Sequence, residues 1–300
     1  MDDAFLASLV TQPRPRVRAV LDTDTYNEID DQFALAYAVL SSGFDLEAVY
    51  AAPFFNDRSS GPEDGMEKSH AEILRVLSKL EKRGLAIRDR VKKGSRAFLS
   101  SPGRPVESEA AQDIVKRAMA GTDKLYILAI AAITNVASAL LMEPRISEKV
   151  VVVWLGGHPS SWHTASEFNL KQDLFASRTI FDCGVPLVQI PCKNVAEHLR
   201  VTIPELHRHL GGRNPLGDYL VSITEDYMAA HAAQSKVIWD ISTVAWLRNP
   251  SWVPSNIVHS PILTQDLTYS HDGSRHLIRQ AFDVNRDAIM QDMYGVFNER

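Results

Sequence analysis

Cysteine is scarce in this chain: two residues, Cys183 and Cys192, among 300. That is too few for a disulfide framework or a cysteine-ligated zinc site, and both are expected to be buried thiols in a reducing cytoplasm. Long apolar runs are also missing. None approaches the ~20 residues that cross a bilayer, so no membrane partner is expected. The opening "MDDAFLASLVTQPRPRVR" places acids first and has only a brief apolar stretch, unlike a secretory signal. Positive charge is not concentrated either. The formal net charge is −5, and the short basic run "RVKKGSR" at 90–96 reads as a solvated loop, which argues against a nucleic-acid partner. There is no internal repeat and no long linker.

What remains is an ordinary globular composition, 45% hydrophobic and 23% charged, suited to one domain over residues 1–300. Short β-branched runs alternate with helical patterns. "VRAVLD" (17–22), "LEAVYAA" (46–52), "KLYILAIA" (124–131), "KVVVVWLGG" (149–157) and "PLVQIP" (186–191) read as strands. Their near-continuous apolarity predicts burial on both faces, as in a mostly parallel sheet flanked by helices. Helices are expected at "DDQFALAYAVLSS", at 65–84 with a terminating glycine, at "SEAAQDIVKRAMAG" and at "TNVASALLM". Beyond residue 200 the pattern becomes mostly helical, with a short strand pair around "SNIVHSPILTQDLTYS". The fold class is α/β.

Directly after the first strand, "AVLDTDTYNEIDDQF" gathers Asp22, Asp24, Asp30 and Asp31. Ligands in parallel sheets bind beyond the carboxyl ends of the strands, which is where these acids fall. Carboxylates with no nearby lysine or arginine in sequence point to a hard divalent cation, Ca²⁺ or Mg²⁺, rather than zinc. The plainer alternative is a solvated acidic loop in which Asp30 caps the next helix. "VLDTDT" also fits the DxDxT pattern of magnesium-dependent phosphatases of the haloacid-dehalogenase type, although no later acidic pair follows a hydrophobic strand.

The wider pattern resembles the nucleoside hydrolases, the inosine-uridine-preferring ribohydrolase family. Asp-x-Asp followed by Asp-Asp at a helix start is one part of it. "ILAIAAITNVASAL" (127–140), "VVVVWLGG" with "ASEFNLKQDLFASRTIF" (165–181), "GVPLVQIP" (184–191) and "VIWDISTVAWL" (237–247) follow in the family's order. The resemblance implies an open Rossmann-like fold, a nucleoside substrate, bound Ca²⁺ and a homodimer or homotetramer. It implies that Asp24, Asp31, Asp240 and the backbone carbonyl of Ile130 ligate the cation. Asp24 would also accept a proton from the attacking water. Asp22 and Asp30 would contact the ribose or steady the ligands, and Asn56, Glu167 and Asn169 would hold ribose hydroxyls.

Trp239 stands where uridine-accepting members carry a histidine acid. That resembles the purine-preferring branch, where a tryptophan stacks on the departing base. Each residue has a plainer reading as well: a cap for Asn169, a surface acid for Glu167, a turn for Asn56, core for Trp239. Three departures from the family pattern fall where substrate is chosen. Two extra residues lie between Asp24 and Asp30, the histidine-glycine segment near 97 is replaced by "RAFLSSPGRP", and Ser161 stands where an asparagine is expected. A member that binds nucleoside or ribose without cleaving it is therefore a further alternative.

Overall fold

Strand β1 (Val17–Thr23) shows how the chain builds its layers: Ala19 and Leu21 face one buried cluster while Val20 faces another. Side chains alternate along a strand, so a strand apolar at every position must be covered on both sides. The same holds for β5 (Val150–Leu155), where Val151, Val153 and Leu155 oppose Val150, Val152 and Trp154. A computed structural model describes residues 17–299; the N-terminal stretch read above as lacking a secretory signal lies mostly outside them.

The remaining strands are β2 (Phe44–Ala51), β3 (Val91–Lys93), β4 (Leu125–Ala129), β6 (Leu187–Ile190), β7 (Arg200–Val201), β8 (Lys236–Val237), β9 (Ser255–His259), β10 (Ile262–Leu263), β11 (Tyr269–Ser270) and β12 (Leu277–Ala281). An eight-stranded sheet runs in the order β3-β2-β1-β4-β5-β6-β12-β9. Its strands are parallel except β9, which pairs antiparallel with β12. The chain winds outward from β1 to β3, returns to the centre at β4 and winds the other way. The return leaves a crevice between the carboxyl ends of β1 and β4, the place where doubly wound sheets bind ligands.

The helices are α1 (Asp31–Leu40), α2 (Pro62–Ser78), α3 (Glu81–Arg88), α4 (Glu109–Ala120), α5 (Thr134–Met142), α6 (Phe168–Gln172), α7 (Leu174–Asp182), α8 (Ile203–His209), α9 (Pro215–Ala230), α10 (Ile241–Arg248) and α11 (Arg286–Asn298). Helix α1 is buried from Asp31 through Ala38. It is anchored from the far end of the chain: Asp292 on α11 accepts hydrogen bonds from the Tyr37 hydroxyl and, on both carboxylate oxygens, from Arg248. No helix among the described residues is long and apolar enough to cross a membrane.

Four expectations change in detail. The helix expected over 65–84 divides: α2 ends at Ser78, and Gly84 lies inside α3 rather than ending a helix. A side chain there would put its Cβ 1.9 Å from the Leu77 carbonyl oxygen, so glycine permits α3 to fold back on the end of α2. The basic run at 90–96 is not a solvated loop; it forms edge strand β3 and then the buried Ser95. The expected C-terminal strand pair forms as β10 with β11, but β9 in the same stretch joins the main sheet through β12, whose half-polar "LIRQA" concealed a strand. Cys183 is exposed at the end of α7, and only Cys192 is a buried thiol.

Gly84 gives a test with opposite signs. Alanine in an ordinary helix interior stabilises by about 0.5–1 kcal/mol over glycine, whereas forced overpacking costs about 1–3 kcal/mol. Gly84→Ala is expected to lower the urea midpoint; a raised midpoint would mean that α3 does not sit this close to α2.

Candidate active site

Two helix N-termini converge on the crevice. Asp30 and Asp240 occupy the N-cap positions of α1 and α10, yet neither side chain makes a capping hydrogen bond. Both carboxylates therefore remain available to the cavity while the positive ends of two helix dipoles favour their charge. The helix start at Asp30 is held instead by its backbone carbonyl, which accepts from Phe33 and Ala34. One oxygen each of Asp30, Asp31 and Asp240 lies within 4.8 Å of the others, and all three residues are buried.

Asp22 and Asp24 lie beside this set. Asp22 ends the buried strand and accepts a 2.8 Å hydrogen bond from Asn135 Nδ2. Asn135 is itself fixed, its Oδ1 accepting from the backbone and hydroxyl of Ser95. Gly94 presses against this amide so closely that an added Cβ would sit 2.5 Å from Asn135 Nδ2. Thr23 turns to the opposite face of the sheet and donates to Asp31 Oδ1 at 2.5 Å. Asp24 receives no such help: both carboxylate oxygens are buried without a hydrogen-bond partner, as is Asp22 Oδ2.

Burial dominates the electrostatics. It raises the Asp22 carboxyl to about 7 against the opposing hydrogen bond from Asn135. Burial, then the charge of Asp30, raises Asp31 to about 8. Asp24 and Asp240 are held well above the usual carboxylate range by burial and then by their acidic neighbours. Buried carboxylate oxygens left without partners call for a cation. The donors are all oxygen, which fits Ca²⁺ or Mg²⁺ and not zinc.

Above the acids opens a cavity of about 480 Å³, within the range of small-molecule sites. Its wall includes Asp30, Asp31, Asn56, Ile130, Glu167, Asn169, Trp239 and Asp240. Ile130 is placed by its backbone N–H, which donates to the Asp22 carbonyl and ties β4 to β1. Of the ten residues expected from sequence, Asp22 and Asp24 alone are not in that wall; they form the buried floor of acids beside it.

The plainer readings can be weighed against contacts. Glu167 is no surface acid: its carboxylate accepts from the backbone of Gly157, Asn169 and Leu170, capping α6 and joining it to the end of β5. Burial raises its pKa in spite of these bonds. Asn169 donates to the Leu155 carbonyl at 3.1 Å rather than capping a helix. Asn56 does sit in a turn, its Oδ1 accepting from Arg58, while its amide donates to Asn27 at 2.6 Å. Trp239 both packs on the α1-side core and borders the cavity. The aspartate of the "EFNLKQD" stretch, Asp173, is a structural tie that caps α7 and accepts from Leu99 and Thr134.

Sequence reasoning missed several cavity residues. His158 follows the glycine pair after β5, and burial lowers its pKa. Cys192 follows β6 and lines the same wall. Asn27 and Glu28 come from the loop between Asp24 and Asp30, and Lys236 pairs with Glu28 behind it. The signals were present, a histidine in "GGHPS" and a lysine four residues before Asp240 in "KVIWD", but neither fits a family motif.

The fold and site thus define a doubly wound α/β protein with an oxygen-lined acidic cavity at its switch point. A sequence model described as "Inosine-uridine preferring nucleoside hydrolase" matches residues 62–291, and the chain belongs to that family. It is a hydrolase of N-glycosyl bonds, which sets the phosphatase reading aside. A pyrimidine-specific ribonucleoside hydrolase from Klebsiella pneumoniae is 25% identical over 300 aligned residues, covering 87% of this chain and 92% of the relative. Among solved structures, a plant nucleoside hydrolase matches with a TM-score of 0.75 at 17% identity, over 96% of this chain and 100% of that one. A purine-preferring ribonucleoside hydrolase from Gardnerella vaginalis matches at 0.73 and 18% identity, over 94% and 99%. These two share the fold.

Asn135 is expected to matter without bordering the cavity. Asn135→Ala leaves Asp22 and Ser95 without a buried partner, a loss of about 1–3 kcal/mol. Denaturant unfolding should show that loss together with reduced turnover; unchanged stability would remove Asn135 as the support of Asp22.

Proposed function

We propose that the protein is a Ca²⁺-dependent ribonucleoside N-ribohydrolase that releases a free base and ribose, with a leaning toward purine nucleosides. The observation that carries this reading is the buried meeting of Asp30, Asp31 and Asp240 beside an Asp24 whose two oxygens have no partner. Asp24, Asp31, Asp240 and the Ile130 carbonyl would hold the cation, whose preference is for six to eight oxygens. When bound, it supplies positive charge that eases deprotonation of a water molecule.

The chain's own residues account for the rest. Asp24 accepts the proton as the water oxygen forms its bond to the anomeric carbon and the bond to the base nitrogen breaks. The bonding electrons leave with the base, which must be protonated or otherwise neutralised. The carboxylates around the crevice favour the positive charge that develops on the sugar. Asp22 stays fixed under Asn135, and Asp30, Glu167, Asn169 and Asn56 hold ribose hydroxyls in a reactive pucker. Trp239 offers an aromatic face to the leaving base.

Asp24→Ala and Asp240→Ala are each expected to abolish base release with the fold retained, and calorimetry should show weakened Ca²⁺ binding. Undiminished affinity in both variants would refute the ligand set. Chelation of wild-type protein should likewise stop release of reducing sugar from a nucleoside panel, and calcium should restore it. Nucleoside binding with no turnover at any calcium level would refute the hydrolytic reading.

The purine leaning rests on Trp239. Base stacking on an aromatic ring is worth about 1–3 kcal/mol, or roughly fivefold to more than a hundredfold in rate. Trp239→Ala should therefore lower kcat/KM for inosine by a factor in that range and leave uridine nearly unaffected, with Trp239→Phe recovering part of the loss. Equal losses on both nucleosides together with a lower Tm would assign Trp239 to the core alone.

A further inference from the structure

A second cavity, of about 440 Å³, lies against the first, and the two share Asn27, Glu28 and Asn56. Those shared residues are a wall, and the loop between Asp24 and Asp30 supplies two of the three. The wall is clamped from several sides. The Asn27 side chain accepts from Asn56, and Arg58 donates to the backbone carbonyls of Asn27 and Glu28 while lying over the Tyr26 ring at 4.4 Å. The Glu28 carboxylate is paired with Lys236, which is only 5% exposed and reaches Asp30 at 3.5 Å. The ammonium also lies 5.0 Å from the centre of the Tyr227 ring. Beyond the wall, the second cavity is bordered by Tyr26, Tyr219 and Tyr227 together with charged groups such as Glu72, Arg75 and Asp226.

Glu28 of the clamp and Trp239 line the same cavity, so the clamp borders the space that holds the aromatic face offered to the base. We propose that the Glu28–Lys236 pair is a specificity device: it closes the base end of the active site off from the tyrosine-lined cavity and so limits the size of the leaving group. This rests on the nucleoside hydrolase reading above. With the pair broken, the Glu28 backbone stays held by Arg58 but its side chain no longer spans the wall, and the two spaces join there. Substituted purines too large for the first cavity alone then gain room in the second. Lys236 and Glu28 touch no reacting atom in this scheme; they position the wall.

The test compares kcat/KM for adenosine with that for N6-benzyladenosine, whose added ring must occupy space beyond the purine. Pocket walls discriminate small size differences by about 10- to 200-fold, so Glu28→Ala and Lys236→Met should each shift the ratio toward the benzyl substrate by at least about tenfold. The double variant should shift it no further than the singles, and Lys236→Arg should keep the wild-type ratio. Glu28 is 39% exposed, so its truncation should leave the fold intact, as circular dichroism would verify. A ratio within twofold of wild type in Glu28→Ala, or shifts that add in the double variant, would overturn the wall. Failure of the wild type to cleave any nucleoside would instead overturn the reading on which it rests.

Discussion

Five aspartates, Asp22, Asp24, Asp30, Asp31 and Asp240, are buried around one crevice, four at 4% exposure or less and Asp22 with none. Two like charges 4 Å apart repel by about 4 kcal/mol even at an effective dielectric near 20, and burial adds a desolvation cost to each. The few neutralising contacts are Lys236 on Asp30 and hydrogen bonds from Asn135 and Thr23. Burial and mutual repulsion hold these acids toward their neutral form, a cation would let them ionise together, and the surrounding fold keeps them in place for it.

That demand explains features remote from the crevice. The parallel sheet delivers β1 and β4 with their carboxyl ends side by side, locked where the Ile130 amide donates to the Asp22 carbonyl. The N-termini of α1 and α10 both point into the same space. Helix α1 is braced from the C-terminus through Tyr37, Arg248 and Asp292. Gly94 admits the Asn135 amide to a place where no side chain fits. Rigidity of this kind is what positioning catalysis requires, because a shift of about 1 Å in a reacting group costs large factors in rate.

The tighter grouping of Asp30 with Asp31 and Asp240, with Asp24 alongside, follows from helix geometry. Asp30 and Asp31 are adjacent at the start of α1 and enter the cavity together, whereas Asp24 lies before the extended loop, whose first turn is closed by Asn27 donating to the Asp24 carbonyl. The extension thus leaves the acids at the ends of their elements and changes the wall beside them.

The sequence by itself determined the sheet and most of its helices, because burial on two faces demands apolar runs of strand length and amphipathic runs of helix length, both of which are local. It also marked Asp22, Asp24, Asp30 and Asp31, four acids behind one strand, and through an ordered set of motifs reached Glu167, Asn169 and Asp240. Tertiary structure decided what local pattern cannot express. β12 is half polar because it lies near the edge of the sheet, and Gly84 serves a close approach between helices rather than a helix end. Glu167 turned out to be a cap as well as a cavity residue. Only folding brought Lys236 to Glu28 across more than two hundred residues, since an ion pair between distant segments leaves no periodicity in either of them. The acids could be read in advance because they cluster in sequence; the buried lysine beside them, Lys236, could not, because it comes from β8, far away along the chain.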